Sequence, residues 1–167
     1  LLYGKRDAKR EWEDARMTSR KSVSELIVAA DHQLVAAMEK LQVRFPCFQL
    51  AGRKISGSGI RYVLISDVTF VEFSWFVRDG FHITCGPSES GGVPGRVFSP
   101  KSDEFSSHYS IDVFSKLDGA PVRYNPEWRK NPMKAVEALM LNARVFLNGD
   151  WSSRASLERV FRPDFAL

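Results

Sequence analysis

Three histidines (His32, His82, His108) and two cysteines (Cys47, Cys85) are the whole stock of imidazole and thiol in this chain. Any Ser/His/Asp or Cys/His chemistry must therefore run through one of three rings. His82 is the best placed. It lies in the β-favouring run from Val68 to Gly86, VTFVEFSWFVRDGFHITCG, close to Cys85 and to the carboxyl of Glu72. A carboxyl beside an imidazole would suit general acid–base work, and a thiol beside one would suit nucleophilic attack.

Whether these groups meet depends on Asp79-Gly80. Asp-Gly between apolar runs signals a two-residue type I′ hairpin turn, whose two central residues both need φ > 0. That turn pairs Arg78 with Phe81 and Val77 with His82. One face then carries Val71, Phe73, Trp75, Val77, His82 and Thr84. The other carries Phe70, Glu72, Ser74, Phe76, Arg78, Phe81, Ile83 and Cys85. Glu72 and Cys85 both point away from His82 in this register, so neither catalytic pair forms. A candidate ligand pocket of His82, Thr84 and Trp75 remains. Both faces are largely apolar, which predicts a central place in a sheet.

Other sources of chemistry are thin. The chain has no GxSxG, P-loop, HExxH or GxGxxG pattern. The GSG at 57–59 lies between strands. The segment Gly91–Arg96 has the glycines and cation of an anion nest, but no helix follows it. Neither the cysteines nor the histidines have metal-ligand spacing, so no catalytic residue, metal or cofactor is assigned. His32 falls off the apolar stripe of its helix. His108, Ser110 and Asp112 alternate along one side of an expected strand, which reads as a solvated face.

Recognition has a better case. The segment RYNPEWRK contributes Arg123, Tyr124, Trp128, Arg129 and Lys130, and Trp, Tyr and Arg dominate interface hot spots. Arg96 in a long polar loop and Trp12 in a charged arm are further candidate contacts. The leading expectation is a non-enzymatic protein-binding module of the immunity, inhibitor, chaperone or accessory-subunit kind, with a partner of acidic surface. Nucleic-acid binding through the arm, with Lys5, Arg6, Lys9 and Arg10, and through RYNPEWRK is the alternative. A small-ligand domain or enzyme near His82 is the third reading.

The elements that must position these groups follow from periodicity. Ser22 and Glu25 form a capping box. Behind it Val23, Leu26, Ile27, Ala30, Leu34, Met38, Leu41 and Phe45 recur at helical spacing until Pro46. Strands are expected over 47–53, 60–66, 68–78, 81–85 and 109–115, with a short one over 121–124. The Gly-, Pro- and Ser-rich stretch 86–107 reads as a functional loop. Asn131-Pro132 opens a second long helix that Asn148-Gly149 closes, and a last short one covers 153–161. The consecutive short turns argue against parallel crossovers.

The fold class is thus α+β: a long helix, an antiparallel meander of five or six strands, then helices packed back on the sheet. Nine of the first sixteen residues are charged. Residues 1–18 therefore read as a helical arm ahead of a single domain over 19–167. With 167 residues, 44% hydrophobic content and a net charge of +4, the chain is an ordinary mildly basic globular protein. It has no membrane-length apolar stretch, and a cytoplasmic setting with reduced thiols is expected.

Overall fold

Ser22 opens helix α1 (Val23–Arg44) as the sequence predicts. Its hydroxyl accepts from the Glu25 amide while the Glu25 carboxylate accepts from the Ser22 amide, so both halves of the capping box are made. Phe45 and Pro46 lie beyond the last turn. The computed structural model describes residues 22–88, 109–115 and 125–161, the final four as backbone alone. The arm with Trp12, most of the long loop with Arg96, the expected strand 121–124, and His108, Arg123 and Tyr124 lie outside the described residues.

Among the described residues five strands form one antiparallel sheet in the order β1 (Gln49–Ser56), β2 (Gly59–Ile65), β3 (Thr69–Phe76), β4 (Gly80–Pro87) and β5 (Tyr109–Ser110). Each strand lies beside its neighbour in sequence, so the sheet is a meander. The C-terminal part is helical: α2 (Ile111–Phe114), α3 (Pro126–Lys130), α4 (Pro132–Asn142), α5 (Arg144–Leu147) and α6 (Arg154–Phe161). The arrangement is α+β. No helix among the described residues is long and apolar enough to cross a membrane.

The β3–β4 hairpin departs from the expected register. Phe76 pairs with Gly80, Trp75 with Phe81, Ser74 with His82, Glu72 with Thr84 and Val71 with Cys85. The turn is a three-residue loop, Val77–Asp79, closed by the Asp79 amide donating to the Phe76 carbonyl at 3.2 Å. Within the turn only Gly80 has positive φ (77°), and no described non-glycine residue does. A type I′ turn would need Asp79 there as well, so the chain takes a type I turn followed by a left-handed glycine. A shift of odd parity exchanges faces.

One face of the sheet is consequently apolar and the other is not. Ile60, Tyr62, Leu64, Val71, Phe73, Trp75, Phe81, Ile83 and Cys85 share a single core with Leu34 and Leu41 of α1 and Val136 and Leu139 of α4. Trp75 sits in that core, on the opposite side of the sheet from His82 and Thr84, so the three do not line one pocket. Cys85 is buried there and Cys47 is exposed in the turn after α1; both are free thiols.

The expected strand 109–115 survives only as Tyr109–Ser110. Ser110 caps α2 instead, accepting from the Asp112 amide at 3.2 Å. Asp112 is 5% exposed, so it is not part of a solvated face. The second long helix is broken at Ala143, which leaves helical geometry between α4 and α5. Gly149 (φ 89°) follows α5 as predicted.

A polar face of the sheet

The corrected register assembles two adjacent rows across the sheet on the side away from α1. One runs Lys54, Arg61, Ser74, His82, and the other Gly52, Val63, Glu72, Thr84, Ser110. Directly opposed residues in an antiparallel pair hold their Cβ atoms about 5 Å apart, and diagonal ones about 7 Å. Glu72 is thus the direct neighbour of Thr84 and the diagonal neighbour of His82. The acid–base pair that the type I′ register would separate is on one face.

Aromatic rings bound this band. Phe76 lies at the hairpin end, edge-on to the His82 ring at 5.8 Å, with the Arg61 guanidinium 5.1 Å from its centroid. Phe70 lies at the other end, paired with Ile65 and Gly86. Glu72 is 9% exposed and Ser74 3%, so the band is removed from bulk water at its centre. Burial pushes the Glu72 carboxyl up to about 7; the Arg61 guanidinium, 3.8 Å away, and a hydrogen bond from Ser74 pull the other way. Desolvation wins because a single half-exposed cation cannot replace the lost water.

His82 is held from the edge of the sheet. Asn125 caps α3 and Pro126 takes its first turn. The helix rests on the hairpin where Gly80 has no side chain, and a Cβ at that point would collide with the Arg129 carbonyl oxygen. From there the Arg129 guanidinium reaches groups of Phe81, His82 and Asp112. Nη1 donates to the Phe81 carbonyl at 3.2 Å and contacts His82 Nδ1, and Nη2 lies 3.4 Å from Asp112 Oδ2. Asp112 is fixed in turn by the Asn125 amide at 3.2 Å and the Ser110 hydroxyl at 3.1 Å. Burial first, then the Arg129 charge, lower the His82 pKa, so the ring is neutral near pH 7.

Two buried polar atoms of this band, His82 Nε2 and Thr84 Oγ1, have no hydrogen-bond partner among the described residues. An unmatched buried donor costs about 1–3 kcal/mol, and here two occur two residues apart on one strand face. Among the described residues no group of three or more His, Cys, Asp or Glu side chains converges as a metal site would need.

The aromatic-basic segment is turned inward. Trp128 packs against the core and Arg129 is only 14% exposed at its side chain, while Pro126, Glu127 and Lys130 are exposed. Arg129 thus joins His82 and Thr84 in one neighbourhood, which sequence reasoning did not anticipate, and Glu72, Ser74, Asp112 and Arg61 join them. A signal for this was present. Glu72 and Ser74 alternate with Val71, Phe73 and Trp75, and His82 and Thr84 alternate with Phe81, Ile83 and Cys85. Only the three-residue loop puts all the polar members on one face.

Comparison of the chain with protein-family models, curated proteins and solved structures finds no match.

Proposed function

We propose that the protein is a small-ligand-binding domain whose site is the polar band centred on Glu72, His82 and Thr84. The observation that carries this reading is the pair of unmatched buried polar atoms, His82 Nε2 and Thr84 Oγ1, beside a buried carboxyl held near neutrality. A sheet face kept only for packing would be expected to be apolar, as the opposite face is. A ligand that completes these hydrogen bonds recovers their cost on binding. The test is amide 1H–15N NMR of the protein titrated with mixtures of small polar metabolites. Shifts clustered at Thr84, Ser74 and His82, abolished by Thr84→Val, support the site. A mixture series that moves only exposed residues elsewhere would refute it.

The second reading is a protein partner with an acidic extended segment. It is favoured by β1, the end strand among those described, which is exposed along nearly its whole length and displays Leu50, Arg53, Lys54 and Ile55. Strand addition to such an edge uses main-chain bonds for affinity. A bulge between Leu50 and Gly52 and the charge of Lys54 blunt this edge against self-pairing. Capture of a stoichiometric partner by wild-type protein, lost on Ile55→Pro with the fold retained, would favour it over the ligand reading. Arg129→Ala is no probe of this surface, because that side chain is committed to Asp112.

A further inference from the structure

The geometry points to a ligand that presents a carbonyl oxygen beside an N–H, an amide-type edge, and to Arg129 as the positioning residue that fixes which nitrogen of His82 reads it. This rests on the ligand-binding reading above. Arginine has donors and no acceptor, so its Nη1 contact makes His82 Nδ1 the accepting nitrogen. A neutral imidazole carries one proton, which must then sit on Nε2. His82 Nε2–H is therefore a buried donor with no acceptor among the described residues.

The guanidinium cannot simply rotate away. It is anchored at Asp112 and at the Phe81 carbonyl, and Asp112 is itself held by the Asn125 amide and the Ser110 hydroxyl. The tautomer is thus set by a relay that starts in α2 and α3, outside the band. Within the band, Thr84 Oγ1 lies two residues along the same strand face, and the Glu72 carboxyl lies directly across from Thr84. A fixed N–H donor, a hydroxyl and a carboxyl acceptor within this span match a carbonyl flanked by N–H, as in a lactam, a primary amide or a pyrimidine edge. A simple cationic amine offers donors only and leaves His82 unanswered.

Long-range 1H–15N spectra of the full protein read the tautomer directly, since protonated and bare ring nitrogens resonate far apart. Wild-type His82 should be the Nε2–H form. Arg129→Met should give a mixture of tautomers, and Arg129→Gln, which keeps an N–H donor, should restore it. Titration with 2-pyrrolidinone should shift His82 Nε2 and Thr84 in wild type, and bind about tenfold more weakly to Arg129→Met. His82 protonated on Nδ1 in the wild type overturns the inference and leaves the ligand-binding reading standing. So does a band that responds to cationic pyrrolidine and not to pyrrolidinone. A band that responds to neither probe removes both.

Discussion

At the scale of single residues, Glu72 and His82 pull the stability of this protein in opposite directions with pH. The Glu72 carboxyl is raised from an ordinary 4.5 to about 7, chiefly by burial. Between those values the folded state holds a proton that the unfolded chain has released, so stability falls as pH rises. Its contribution is complete below pH 4.5 and lost through pH 7. The whole effect is on the order of 3 kcal/mol. Glu72→Gln should therefore match wild type near the acid end and exceed it by roughly 3 kcal/mol at pH 8, read from urea midpoints at both pH values. A variant less stable than wild type at pH 8 would mean that the ionised carboxyl is well paired. His82 has the reverse sign, because burial and Arg129 lower its pKa. Its neutral form adds stability above the ordinary value of 6.5, and that is lost as pH falls. Arg129→Met removes the second cause, so the His82 pKa should rise in an NMR titration.

At the scale of elements, Gly80 couples the hairpin to α3. Its φ of 77° disfavours any side chain, and a Cβ would also meet the Arg129 carbonyl oxygen. Gly80→Ala should cost about 2–3 kcal/mol, and should loosen the Arg129 contact so that His82 populates both tautomers. Gly57, in the β1–β2 turn, has open space around it and no positive φ. Gly57→Ala is the control, expected within about 0.5 kcal/mol of wild type by thermal denaturation. These two glycines also mark what could be read in advance. Local signals were sufficient where one physical effect dominates: the Ser22 capping box, the Asn131 cap with Pro132, the left-handed Gly149. They failed where two local solutions share one sequence. Asp79-Gly80 fits a type I′ turn and a type I turn with a glycine bulge equally, and only packing of both faces decides. Ser110–Phe114 alternates like a strand over too few residues to exclude a helical turn. The faces of the hairpin differ from expectation through the first of these, since every residue of β4 lies on the other side relative to β3.

At the scale of the whole molecule, the two faces of the sheet should answer substitution with opposite signs. The face toward α1 and α4 is packed to exclusion, with Val71, Phe73, Cys85 and Leu139 fully buried in one cluster. Truncating Trp75 there, as Trp75→Ala, removes apolar area and leaves a cavity, and should cost about 4 kcal/mol. The face carrying the band buries a hydroxyl at Thr84 that has no partner among the described residues. Thr84→Val keeps the shape and removes that unmet group, so it should raise stability by about 1 kcal/mol. On the ligand-binding proposal, a buried hydroxyl that costs stability where an isosteric methyl would serve is a contact atom, since activity and stability can trade against each other. Equilibrium urea unfolding of the two variants against wild type, with unchanged slope in each, separates the cases. If Thr84→Val destabilises the protein, its hydroxyl is satisfied in solution and the band loses the observation on which ligand binding rests. If it stabilises the protein while the response to 2-pyrrolidinone disappears, the same atom is both a cost to the fold and a contact for the ligand.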